Sequence, residues 1–250
     1  MIRSGLIAKG LGTEPGFRWR GGDVSRIEGF GDAVFAFAVT LLVVSLEVPS
    51  TFDELLRTMS GFLAFGLCFA MLVLIWYYHY LFFRRYGLED ARTIVLNAIL
   101  LFLVLFYIYP LKFLVGYLSR ILLGFRLTEG GHMIETGQVS TLMIVYALGF
   151  VAIFGVLLLL YRHAYGLREV LELDAVEVFK TRVMIRHFAI YMAIGGTSLV
   201  LALADRPLLV AMSGWIYGLI GPAQWWNGAR ARRAEARMTA EHDAQLTDRR

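Results

Sequence analysis

A few polar side chains stand inside runs of apolar residues that are otherwise nearly free of them. Asp32 follows Arg26 at the mouth of the apolar run Ala33 to Leu46, and Trp76 and His79 sit in a second run. Asn97 sits in a third. Charges near or inside a membrane persist where they face protein or a water-filled path, so Asp32 is the first candidate for function. Trp76 and His79 are one helical turn apart and share a face. His79, the indole Nε1 of Trp76 and Arg26 can together satisfy the Asp32 carboxylate, which makes a buried polar clamp between the first two runs. An Asp32–His79 pair can also pass protons. A relay across a bilayer needs further titratable steps, and the sequence stages few of them.

The same first run carries a second pattern. At about 100° per residue, Phe30, Ala33, Phe37, Thr40, Leu41 and Val44 fall on one stripe of a helix, and Asp32 points away from it. Thr40 is the single mid-span hydroxyl. A stripe of this kind is either a packing surface or one wall of a narrow pore. In the second case copies of the helix converge on an axis. Apolar rings then hold water out, and threonine oxygens offer ligands to a partly dehydrated cation.

The elements that position these residues follow from hydropathy. The chain is 58% hydrophobic, with a mean hydropathy of +0.63, well above the roughly 45–50% apolar share of soluble domains. Apolar runs of about 20 residues recur, so the class is an all-α polytopic membrane protein with about six spans. These run near Glu28–Val48, Leu55–Phe83, Ile94–Leu118, Val139–Tyr161, Val183–Ala204 and Leu208–Trp226. Pro110 is expected to kink the third span. Gly195-Gly196 reads as a close-packing site, and Tyr107, Tyr109, Trp215, Trp225 and Trp226 read as interface anchors. Residues 116–138 are too polar to span and read as an interfacial helix and loop, with a re-entrant segment as the alternative. Arginine and lysine concentrate in both tails and after the second and fourth spans. This bias places both termini in the cytoplasm. It divides the chain into an amino-terminal tail (1–22), a six-span membrane domain (23–226) and a carboxy-terminal tail (227–250), the last a water-exposed helix that frays. The net charge of +4 belongs to these span ends and implies no nucleic acid partner.

Chemistry of other kinds finds no support. Cys68 is alone, so no intrachain disulfide or cysteine metal site is expected. His132, His163 and His187 lack metal-ligand spacing. No Gly-x-Ser-x-Gly elbow, His-Glu-x-x-His motif or phosphate loop occurs, so neither an enzyme nor a cofactor is expected. There is no Thr-Val-Gly-Tyr-Gly filter either, so any potassium selectivity arises by another route.

Arg26-x-x-x-Phe30-Gly31-Asp32, with the run that follows it and Glu47-Val-Pro49, resembles the first-helix signature of the lysosomal potassium channel family (transmembrane protein 175) and its bacterial six-helix relatives. Trp76-Tyr-Tyr-His79 is similar to that family's second-helix pattern, and Asn97 to Pro110 to its third. The resemblance implies a homotetrameric potassium-permeable channel of the bacterial inner membrane that admits other monovalent cations and meets only its own copies and lipids. It implies a pore lined by the first helix, with the constriction at Phe37, Thr40 and Val44, and Leu41 beside them. Arg26, Phe30, Asp32, Trp76, His79 and Asn97 then form an interhelical network that shapes the pore. Two positions depart from the family pattern: Gly31 replaces a serine, and Phe37 replaces a leucine or isoleucine. A proton-coupled transporter or proton leak through Asp32 and His79 is the rival from another class, and a scaffold without transport is the third.

Overall fold

A computed structural model describes residues 16–44, 50–60, 62–123 and 136–248, and all regular structure among them is helical. Helix α1 spans Arg26–Val44. It starts where Ser25 Oγ accepts the Glu28 N–H at 3.2 Å, with Glu28 itself at the positive end of the helix dipole. Helices α2 (Phe52–Ser60) and α3 (Phe62–Tyr86) together cover the second expected span. Asp90 opens α4 (Ala91–Leu123), accepting from Thr93 Oγ1 at 2.6 Å and from the Arg92 N–H at 3.2 Å. Helix α5 is Thr136–Gly166. Helix α6 is Ala175–Leu203 and begins with a reciprocal cap: Asp174 accepts from Glu177 N–H at 2.8 Å, and Glu177 accepts from Asp174 N–H at 3.1 Å.

The sixth expected span is not one helix. It divides into α7 (Pro207–Trp215), a 3-10 turn at Ile216–Leu219 and the start of α8 (Ile220–Asp248). The cause is in the sequence. Pro222 has no N–H to give the Gly218 carbonyl, and its ring crowds that carbonyl. The backbone tightens to shorter bonds one turn upstream. Five helices remain long and apolar enough to cross a membrane: Arg26–Val44, Phe65–Tyr86, Ala91–Phe113, Gln138–Gly166 and Ala175–Leu203. Helix α4 runs past its expected end to Leu123, whereas 124–135 lie outside the described residues, and with them most of the polar connection. The tail is helical through Asp248.

Helix α1 packs on α3 and α4 and, among the described residues, touches none of α5 to α8. The second half of the bundle is joined to α3 by aromatic rings. Phe82 meets Tyr161 at 5.4 Å between centroids, Tyr161 meets Phe188 at 5.2 Å, and Phe154 stacks on Tyr191 at 4.3 Å. Gly195 is the close-packing position of its pair, since a Cβ there would lie 2.8 Å from Phe150 Cδ1; Gly196 faces open space. Tyr107 is not an interface anchor. It is buried, lies against Gly149 and donates to the Tyr146 carbonyl at 3.2 Å. Tyr109, Trp215, Trp225 and Trp226 are exposed, as interface anchors must be.

Residues 17–22 bind the bundle rather than trailing from it. Phe17 is buried edge-on against Tyr86 under the Arg85 guanidinium. Arg20 grips Glu177 with two bonds, at 2.6 and 2.9 Å. Gly21 crosses α3 so closely that a Cβ would stand 2.5 Å from the Phe83 carbonyl oxygen. Beyond α3, Gly87 turns at φ +58, a conformation suited to glycine. At the same end, Lys180 on α6 pairs with Glu235 on α8 at 3.2 Å. The amino-terminal segment and the late part of α8 therefore lie on one side of the bundle.

Candidate ion pathway and its supporting network

Helix α1 has two opposite faces. Glu28, Gly31, Phe35, Ala38 and Leu42 recur every three or four residues and are buried against α3 and α4, the last two with no exposed surface. Phe30, Ala33, Phe37, Thr40 and Val44 face away from their own chain, with Phe37 56% and Val44 71% exposed. This is the stripe read from the sequence, except that Leu41 is half-buried at its edge. Phe30, assigned by resemblance to the interhelical network, stands instead on the open face at 61% exposure. The Thr40 hydroxyl donates to the Ala36 carbonyl at 3.0 Å. Its hydrogen is thereby turned to the backbone, and its lone pairs remain available on the open side.

The buried face carries the polar ties. Trp76 Nε1 donates to Asp32 Oδ1 at 2.8 Å. Four residues along α3, Tyr80 stacks on Trp76 at 5.7 Å. One turn further, the Arg84 guanidinium lies 5.5 Å over the Tyr80 ring and 3.2 Å from Glu28 Oε1. On α1 the matching positions are Asp32 and, one turn earlier, Glu28. The two helices run antiparallel, so the rungs Asp32–Trp76 and Glu28–Arg84 follow in opposite order along them, four residues apart on α1 and eight apart on α3, and the long arginine side chain reaches back to close the second. Both side chains of the second rung are almost wholly buried. Arg84 also donates to the Gly21 and Gly22 carbonyls, which fixes the chain entering α1.

His79 is placed differently from the expected Asp32–His79 pair. Its Nε2 lies 2.8 Å from Asn97 Oδ1 on α4, a geometry in which the ring N–H donates. Asp32 and His79 share no hydrogen bond among the described residues. The reason is angular. Residues three apart share a face but diverge by about 60°, so Trp76 looks at α1 while His79 looks between α1 and α4. Arg26, the other expected partner of Asp32, is exposed and makes no hydrogen bond or ion pair among the described residues. The coupling in a double-mutant cycle should follow these contacts. Thermal stability in detergent should show His79/Asn97 and Asp32/Trp76 each coupled by about 0.5–3 kcal/mol, and Asp32/His79 additive within about 0.5 kcal/mol. A strong Asp32/His79 coupling would restore the discarded pair.

Gly31 admits the imidazole. A Cβ at this position would meet His79 Cε1 at 2.5 Å and Nε2 at 2.7 Å. The ring also lies 5.5 Å from Phe35 and 4.8 Å from Phe83. The glycine where the family pattern has serine is therefore fitted to a histidine seated hard against α1. Gly31→Ser should cost about 1–3 kcal/mol through overpacking. Melting curves of Gly31→Ser, with and without His79→Ala, check this: the loss should shrink in the double variant.

The sequence reading missed Glu28–Arg84 and Arg20–Glu177. The signal for the first was present, because a Ser-x-x-Glu start placed Glu28 at the root of α1. Its partner was hidden among arginines that charge bias already accounted for. Of the other histidines, His163 Nε2 lies 2.9 Å from Asp90 and His187 Nε2 lies 2.7 Å from the Tyr78 hydroxyl; His132 lies outside the described residues. No cluster of metal-ligating side chains occurs among the described residues.

Five membrane-length helices and a first helix buried on one face and bare on the other define a multi-pass α-helical membrane protein. Residues 26–107 match the family model of the endosomal/lysosomal potassium channel TMEM175. A potassium channel of Marivirga tractuosa is 40% identical over 224 residues, covering 85% of this chain and 89% of the relative. One from Chamaesiphon minutus is 35% identical over 104 residues, 38% of this chain and 51% of the relative. The crystal structure of a variant of the potassium channel MtTMEM175, bound to a nanobody–MBP fusion protein, superposes with a TM-score of 0.80 at 38% identity. The match covers 89% of this chain and 100% of that one. The chain belongs to the TMEM175 potassium channel family.

Proposed function

We propose that four copies of this chain assemble around α1 into a potassium-permeable channel of a bacterial inner membrane. The observation that carries this reading is the bare stripe Phe30–Ala33–Phe37–Thr40–Val44 on a helix whose opposite face is sealed. A helix so divided needs a second surface, and convergence of copies on an axis supplies one. Phe37 and Val44 then form apolar rings that hold water out at rest, with the half-buried Leu41 behind them. Thr40 forms the one side-chain oxygen ring between them, and ions pass at the cost of shedding water there. Arg26 and Phe30 stand at the mouth of this path, and Asp32, Trp76, His79 and Asn97 hold its wall. The permeant ion is K⁺, with other monovalent cations admitted less readily, and no cofactor takes part. Residues 1–22 and 227–250 flank the membrane domain 23–226. The near-end ion pairs Arg20–Glu177 and Lys180–Glu235 support placing both termini on one side, and the arginine bias supports calling that side cytoplasmic.

The test is purified full-length protein in liposomes under K⁺, Na⁺ and H⁺ gradients, with oligomer mass measured in parallel. A tetramer with electrogenic K⁺ flux above Na⁺ and H⁺ flux is expected. Saturable flux coupled to protons would favour the transporter, and absence of flux the scaffold.

A further inference from the structure

We infer that the outer groove between α4 and α5 binds an anionic phospholipid, its headgroup held by Arg92 and Arg162. A cavity of about 450 Å³ opens where α4 begins and α5 ends, lined by Arg92, Leu159, Arg162, His163, Gly166 and Leu167. Neither the Arg92 nor the Arg162 guanidinium has an ion pair or hydrogen bond among the described residues. The nearby cations differ: Arg168 pairs with Glu169, and Arg182 donates to the Tyr165 hydroxyl. Asp90, which the lining residue His163 contacts at 2.9 Å, is already committed. Burial alone would raise its pKa, but the bonds from Thr93 and His163 outweigh that and hold it below the usual carboxylate value. It thus stays ionised on those two partners and leaves the two guanidinia uncompensated.

The groove below the cavity has the character of an acyl-chain track. On α4 the exposed residues Val95, Ile99 and Phe102 descend from Arg92 at spacings of three and four. On α5 the exposed Leu159 lies one turn below Arg162, and Leu148 and Val145 are exposed on the same face further down, with the small, half-buried Gly155 and Ala152 between them. Two apolar stripes thus meet at two unpaired positive charges at the end of membrane-length helices. That is the layout of a site between spanning helices for an acidic lipid headgroup. Helix α5, which carries Arg162, does not touch α1. The occupant is a lipid rather than a soluble anion because exposed apolar residues on membrane-length helices lie below both charges.

Delipidated full-length protein is titrated with phosphatidylglycerol, phosphatidylcholine, or inorganic phosphate with glycerol 3-phosphate, and read by native mass spectrometry and thermal shift. Phosphatidylglycerol should bind at least tenfold more tightly than phosphatidylcholine, and that preference should fall at least fivefold between 0.05 and 0.5 M NaCl. In the variant Arg92→Gln/Arg162→Gln the two lipids should bind alike, while Arg92→Lys/Arg162→Lys retains most of the preference. Equal binding of the two lipids to the unaltered chain would overturn the inference. So would a full preference kept in the Gln variant, or a shift from the soluble phosphates that matches phosphatidylglycerol. The salt dependence of the unaltered chain decides the matter if the Gln variant fails to fold.

Discussion

Phe37→Ala is expected to raise potassium flux about tenfold in reconstituted vesicles, equivalent to about 1.4 kcal/mol off the barrier. Phe37 is the largest side chain in the middle of the open stripe of α1, and more than half of its surface is free in its own chain. If four such rings meet, they make the narrowest and driest section of the path. Truncation to a methyl group admits water and lowers the cost of partial dehydration. Thr40→Ala, one turn on, should instead narrow the difference between K⁺ and Na⁺ flux, because it removes the side-chain oxygens. Val44→Ala should weaken closure. Val39→Ala, turned towards the bundle, should change flux little. Flux under matched K⁺ and Na⁺ gradients on these four variants decides the matter. Equal effects from both faces, or none from Phe37 and Thr40, would remove α1 from the pore.

Arg84→Met costs about 3–5 kcal/mol of stability, because it leaves the Glu28 carboxylate buried without its cation. The loss is deepened by the Gly21 and Gly22 carbonyls, which Arg84 also serves. Adding Glu28→Leu should recover a large part of the loss, since the isolated charge disappears. Melting in detergent measures both variants. Additive losses in the double variant would show that the pair is not the tie described. Surface arginines such as Arg232 provide the contrast, with substitutions expected within about 0.5 kcal/mol of the unaltered chain.

The spans and the two-faced first helix were legible in the sequence because both depend on residue periodicity. Glu28, Gly31, Phe35, Ala38 and Leu42 form one series, and Phe30, Ala33, Phe37, Thr40 and Val44 the other. The Asp32–Trp76 bond was legible as one member of a set of partners for a short buried carboxylate. The choice of Asn97 for His79 was not, since it depends on the angle at which α4 crosses α3. Glu28–Arg84 and Arg20–Glu177 were hidden for a different reason. An arginine at a span end satisfies charge bias wherever its side chain points, so composition does not separate a solvated charge from a buried one. The break at Ile216–Leu219 was readable from Pro222, but hydropathy averaged over a window passes across it.

The ties of α1 are unevenly distributed. Its described side-chain bonds to other helices, Glu28–Arg84 and Asp32–Trp76, lie in its first two turns, and Gly31 seats against His79 between them. Beyond Phe35 the described attachment is by Ala38 and Leu42, whose apolar contacts carry no directional preference. Mechanically, α1 is a cantilever, clamped at its root and resting on a smooth support along its outer half. A small roll about its own axis swings Phe37, Thr40 and Val44 together. The cheapest deformation of this helix is thus one that re-aims its open stripe.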